Sequence, residues 1–306
     1  LFSATDKKLI VILGPTATGK TRLGAILAHR FNGEIISADS RQVYRGMDIG
    51  TGKDLSDYKV EGAQVPFKMI DLIEPTEEFS LFDFLEKFIR YFNEISNRGK
   101  LPFLVGGTPL YIHAVLKKYP LTKVDFKKRE KELMGKSLSE LQEILLSAKP
   151  HLHNKTDLES KERAVRAIII AESSDSGEPL HYPDFKFVVL GIKASKEEIA
   201  KRVRTRLEKR FSEGMIEEAQ RLLDKGVSIE RLKSFGLEYK FLAMYLNGEI
   251  NYNDMFQKLN SAINKFAKRQ KTWFRKMERE GIKINWIAPG DVGKAEEIIK
   301  HFLEKE

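Results

Sequence analysis

The octapeptide Gly14-Pro15-Thr16-Ala17-Thr18-Gly19-Lys20-Thr21 constrains this chain more than any other part of it. It fits G-x-x-x-x-G-K-[ST], follows the apolar run KLIVIL and opens a helix-prone stretch over 21–31, the context a phosphate-binding loop needs. Glycines at both ends let the backbone curl so that successive N–H groups point inward at phosphate oxygens. The helix that follows adds the positive end of its dipole. Lys20 supplies a mobile point charge, and the Thr21 hydroxyl is the natural ligand for Mg²⁺. The motif predicts a bound di- or triphosphate and is silent about the reaction.

Around that loop, β-branched runs alternate with amphipathic stretches. Strands are predicted at 8–13, 34–38, 101–105 and 185–191, with shorter candidates at 282–287 and 65–73; helices are predicted at 21–31, 81–98, 196–225 and 252–280. Strand–helix alternation with strands apolar on both faces predicts an α/β fold, a parallel sheet flanked by helices. The stretch from 117 to 183 breaks this rhythm: it is charged, helix-prone and has no convincing strand. It reads as a mainly helical insertion, so the expected division is a catalytic core of 1–116 plus 184–306 and an insertion of 117–183. The run SSDSG at 173–177 is the best candidate for a flexible loop.

With no cysteine among 306 residues, disulfides, thiolate zinc sites, iron–sulfur clusters and a cysteine nucleophile are excluded. No apolar stretch is long enough to span a bilayer and no cleavable signal is visible, so a cytoplasmic location is expected. Positive charge is clustered. Residues 117–131, 193–210 and 258–279 carry +5, +5 and +7 against +9 for the whole chain, so the remainder is net acidic. Solvated helix faces account for such runs in many proteins; a surface built for a polyanion is the other account.

The run after the first helix ends in Ala38-Asp39-Ser40-Arg41-Gln42. In an open α/β sheet the carboxyl ends of strands face the ligand crevice, which puts Asp39 beside the phosphate loop with Ser40 and Gln42 on the same rim. A carboxylate there can bind Mg²⁺ through water or act as a general base. A small-molecule kinase or an RNA-binding NTPase is the default for such a loop, but no apolar run ends in a plain Walker-B acid beside a hydrolysis apparatus.

Four segments together, GPTATGKT, DSRQVYRGMDIGTGK, Gly106-Gly107-Thr108-Pro109-Leu110-Tyr111 and the 267–275 run AKRQKTWFR, resemble the tRNA dimethylallyltransferases. The resemblance spans about 9–281. It implies transfer of an isopentenyl group from dimethylallyl diphosphate to the amine of the adenosine just 3′ of the anticodon in tRNA. It further implies that Thr16 to Thr21 hold the diphosphate, that Asp39 is the base, and that Arg206 reaches the diphosphate. Asp39, Ser40, Arg41, Gln42 and Thr108 would contact tRNA, as would Arg129 and the segment Glu162-Arg163-Ala164-Val165-Arg166. Catalysis would thus rest on Asp39, Thr16, Lys20 and Arg206, with Mg²⁺ on Thr21 and the protein working as a monomer away from membranes.

The chain departs from the family pattern where R-A-L-E-V reads Arg166-Ala167-Ile168-Ile169-Ile170, where the usual Asp-Pro is replaced by the 148–151 run AKPH, and where Gly236-Leu237-Glu238-Tyr239-Lys240 holds extra residues between Gly and Tyr. The adenine to be modified has to leave its stack, at a cost of about a few kcal/mol, and Gln42 is placed to read its edge. Phe266, Trp273 and Phe274 are expected to be core residues. His113, His151, His153 and His181 lack metal-ligand company and are expected to be structural or surface residues. An enzyme acting on free adenine nucleotides is the alternative, which the basic clusters disfavour.

Overall fold

The computed structural model describes residues 7–124, 126–148, 158–173 and 178–304. They form two compact units, one of 1–117 with 183–306 and the other of 118–182.

The larger unit is built on six parallel strands: β1 (Lys8–Leu13), β2 (Gly33–Ala38), β5 (Phe67–Lys68), β6 (Leu101–Gly106), β7 (Lys186–Ile192) and β8 (Ile284–Ile287), in the order β5-β2-β6-β1-β7-β8. Two short strands, β3 (Lys59–Val60) and β4 (Ala63–Gln64), make a separate hairpin. β1 and β2 are buried along their whole length, as strands of a doubly covered parallel sheet must be.

Helices α1 (Lys20–Arg30), α2 (Leu81–Asn97) and α3 (Pro109–Leu116) follow β1, β5 and β6. After β7 come α7 (Lys196–Ser212), α8 (Met215–Asp224), α9 (Ile229–Ser234), α10 (Leu237–Leu246) and α11 (Tyr252–Arg279); α12 (Val292–Glu304) follows β8. One apolar cluster joins the strands to α1 and α12, and a second gathers α7 to α11 around residues 43–47. Ser80 and Ser195 cap α2 and α7 with full capping boxes, which fixes where each helix starts.

Three expectations needed correction. The helix expected over 196–225 is two helices, because Gly214 adopts φ 94° and turns the chain between α7 and α8. Of the strand expected at 65–73, Phe67–Lys68 joins the sheet and Ile73 makes an isolated parallel bridge to Tyr44, since Met69 and Asp71 have positive φ and end the extended run between them. The last strand starts at Ile284 rather than 282.

The smaller unit contains α4 (Phe126–Met134), α5 (Leu138–Ala148) and α6 (Lys161–Ser173), packed around Leu133, Leu141, Leu145, Ala164, Val165, Ile168 and Ile169. Most of the 173–177 loop, residues 149–151 of the AKPH run, and His151 and His153 lie outside the described residues.

Candidate active site

Parallel pairing brings three strand ends to one edge of the sheet. Leu13 and Ala38 both register with Gly106, so the phosphate loop, Asp39 and the Gly107–Thr108 turn leave the sheet side by side. A side chain on Gly106 would run into the Ala38 carbonyl, so glycine is needed there. Thr108 then ties two rims together. Its N–H donates to Ala38 O at 3.1 Å, and its Oγ1 accepts from the Ser40 N–H at 3.1 Å.

The loop itself curls through left-handed residues at Ala17 (φ 61°) and Gly19 (φ 81°). Thr18 is buried and its hydroxyl donates to Pro15 O at 2.8 Å, so its side chain closes the loop and only its backbone is available to a phosphate. Lys20 Nζ donates to the same carbonyl at 2.7 Å. Burial, reinforced by Arg206 and opposed by Asp39, lowers the Lys20 pKa from 10.5 to about 8.

These groups line a cavity of about 360 Å³, a usual size for a small-ligand site. Thr16, Lys20, Thr21, Asp39, Ser40, Arg41, Gln42, Thr108 and Arg206 all face it. A second cavity of about 650 Å³ shares Lys20, Thr21 and Arg206 with the first. The phosphate cradle therefore stands where the two cavities meet. Asp39 Oδ1 accepts from the Arg41 N–H at 2.9 Å, which fixes the carboxylate on the rim. The Arg41 guanidinium lies 5.6 Å from the Phe235 ring centre, and burial lowers its pKa.

Gln42 differs from expectation. It is buried; Ser37 Oγ donates to its Oε1 at 3.1 Å and its Nε2 donates to Gly52 O at 3.1 Å. One donor and one acceptor of its amide are committed inside the protein, which makes Gln42 a strut as well as a lining residue.

Arg206, on α7, has its Nη2 3.3 Å from Asp54 Oδ2. One turn further along, Arg210 is buried and pairs with Glu238 at 3.3 Å; burial first, then Arg206, lower its pKa to about 10, so it stays cationic at neutral pH. Burial pushes the Glu238 carboxyl up.

By its sequence Gln270 of α11 belongs to the interleaved run Lys268, Arg269, Gln270, Trp273 and Arg275, which suits RNA backbone contact and packing. It is buried in the cavity wall, where its Oε1 accepts from the Thr16 N–H at 2.9 Å and its Nε2 donates to Gly107 O at 2.5 Å. One side chain thus spans the phosphate loop and the glycine turn. Its place in the KRQ run was the available signal, but that run reads as a basic patch. Phe266 and Trp273 are half-buried and Phe274 is fully buried; Phe274 is the core residue expected, and Phe266 lines the cavity.

In the smaller unit, Arg129 is held by Glu132 and by both oxygens of Glu172 at 3.0 Å. Glu162, Arg163 and Arg166 are exposed. Ala164 and Val165 are in the core of the unit, so their side chains are set to hold α6 in place and not to meet RNA. His113 is buried against Glu280, a structural position as expected.

The magnesium expectation fits the donor set. The Thr21 hydroxyl and Asp39 carboxylate face one cavity, while no group of three His, Cys, Asp or Glu side chains capable of caging a metal occurs among the described residues. Few protein oxygens, with water and phosphate completing the shell, is the pattern Mg²⁺ accepts.

The family model for IPP transferase matches residues 42–277, and that for isopentenyl transferase matches residues 7–65. The chain belongs to the IPP transferase family. Among its relatives, tRNA dimethylallyltransferase 1 of Geotalea uraniireducens is 51% identical over 95% of this chain and 97% of its own. A protein of the same name from Parabacteroides distasonis is 48% identical over 92% of each chain. Among solved structures, the tRNA isopentenylpyrophosphate transferase of Bacillus halodurans superposes with a TM-score of 0.67 at 32% identity, covering 97% of this chain and 96% of that one. A eukaryotic dimethylallyltransferase acting on tRNA has a TM-score of 0.77 at 22% identity, covering 97% of this chain and 80% of that one, a likeness of fold. This member of the family contains, among the described residues, no helix long and apolar enough to cross a membrane.

Proposed function

We propose that this IPP transferase moves the dimethylallyl group of dimethylallyl diphosphate to the exocyclic amine of the adenosine 3′ of the anticodon in tRNA, in the cytoplasm and as a monomer. The observation that carries this reading is the convergence of an anion cradle, the Asp39 carboxylate and the Thr108 rim on one cavity.

The adenine amine is a poor nucleophile because its lone pair is delocalised, so the reaction depends on the electrophile. The N–C bond forms at the allylic carbon as the C–O bond breaks, and the diphosphate leaves with the electron pair. The phosphate-loop N–H groups, Lys20 and Arg206 are arranged to stabilise that growing negative charge. Asp39 takes the proton released by the amine, a contribution of about 10²–10⁴-fold. Mg²⁺ bound by Thr21 would offset further charge on the diphosphate. Gln270 keeps the cradle and the glycine turn at a fixed separation.

RNA contacts are assigned to Ser40, Arg41 and Thr108 on the rim, and to Arg129, Glu162, Arg163 and Arg166 in the smaller unit. The names of the relatives favour tRNA over a free nucleotide as acceptor. Incubation with unmodified tRNA, dimethylallyl diphosphate and Mg²⁺ should yield prenylated adenosine, with free AMP, ADP and ATP far poorer acceptors. Transfer to the free nucleotides alone would favour the alternative enzyme.

A further inference from the structure

Residues 46–53, Gly-Met-Asp-Ile-Gly-Thr-Gly-Lys, form a strap that ends against the guanidinium groups of Arg206 and Arg210. Its backbone is fastened by one buried carboxylate. Glu218 of α8 accepts from the N–H groups of Asp48 at 2.8 Å and Ile49 at 2.7 Å through Oε2. Its Oε1 accepts from the Gly50 N–H at 2.9 Å and the Tyr239 hydroxyl at 2.6 Å. A buried carboxylate costs several kcal/mol unless its lone pairs are met, and four donors meet these. The other end is fastened by Lys53, whose buried ammonium donates to Tyr44 O at 2.5 Å and to Asp48 and Asp71 carboxylates at 2.9 and 2.5 Å.

The strap delivers its glycines to tight places. A Cβ on Gly50 would lie 2.6 Å from the Tyr239 ring. A Cβ on Gly52, which has φ 68°, would collide with the terminal nitrogens of both Arg206 and Arg210. The Gly50 carbonyl accepts from Arg210 Nη1 at 3.4 Å, and Arg210 Nε is buried with no hydrogen-bond partner among the described residues.

We infer that Glu218 and the strap it holds position Arg206 and Arg210 for the departing diphosphate, with Glu218 acting as a positioning residue that touches no substrate. This rests on the proposed role of Arg206, and it gives the GMDIGTGK segment a task that its own side chains do not reveal. Glu218→Gln offers one acceptor oxygen where the strap needs two. Gly52→Ala keeps Glu218 and its four donors, and adds one methyl group, at a backbone φ of 68°, where the guanidiniums lie.

Steady-state kinetics of the full chain, with dimethylallyl diphosphate and tRNA varied separately and inorganic pyrophosphate as inhibitor, test it. Both variants should raise the donor KM and weaken pyrophosphate inhibition by about 10- to 100-fold, the effect of ångström-scale misplacement, while the tRNA KM changes less than about twofold. If Glu218→Gln does not fold, folded Gly52→Ala decides. A Gly52→Ala enzyme with wild-type donor KM and pyrophosphate inhibition overturns the inference, even if its turnover is reduced. Wild-type enzyme that transfers no prenyl group to tRNA would instead overturn the proposed function on which the inference stands.

Discussion

Burial and the neighbouring Arg206 bring the Lys20 pKa down to about 8. An ammonium is needed to hold a diphosphate, so kcat/KM for the donor should fall as pH rises through about 8 in the free enzyme. A profile flat to pH 10 would contradict the burial described for Lys20. The linkage runs the other way for stability. Between about 8 and 10.5 the unfolded chain holds this proton and the native chain does not, so this group adds stability as pH rises across that window. Asp39 gives a second prediction: Asp39→Ala should lower turnover by about 10²–10⁴-fold with little change in pyrophosphate binding. Equal turnover would remove its role as base. Most of the cradle was legible from residue spacing, since G-x-x-x-x-G-K-T between a strand and a helix dictates its own geometry. Gln270, Glu218 and Arg210 were not, because each acts on backbone far away in the chain, a relation that no local pattern encodes.

At the scale of elements, α11 serves both core and site. Phe274 is fully buried on it, and Phe274→Ala should cost about 3–5 kcal/mol in a denaturation experiment. Gln270→Ala should cost less stability than Phe274→Ala, about 1–3 kcal/mol, and reduce kcat/KM for the donor, because the Thr16 N–H and the Gly107 carbonyl lose their common partner. On α6 the same separation occurs within five residues. Arg163→Ala and Arg166→Ala should each reduce the salt slope of tRNA binding by about one, whereas Val165→Ala should lower stability without altering that slope, because Val165 is packed against Leu141 and its neighbours. The sheet was legible in its apolar runs. The turn at Gly214 and the left-handed Met69 and Asp71 were not, since periodicity does not register single positive-φ residues.

On the scale of the whole molecule, charge and topology point to one use. Parallel strands bring the anion cradle and the carboxylate to a single edge, and +17 of charge is concentrated in three windows of a chain whose net charge is +9. The use proposed for this edge is to join an allylic carbon to an adenosine of tRNA. The most direct test is mass spectrometry of nucleosides from unmodified tRNA incubated with the protein, dimethylallyl diphosphate and Mg²⁺. The expected product is an adenosine heavier by one dimethylallyl group, located 3′ of the anticodon and lost with Asp39→Ala. Unmodified adenosine throughout, from folded wild-type protein that binds both substrates, would contradict it.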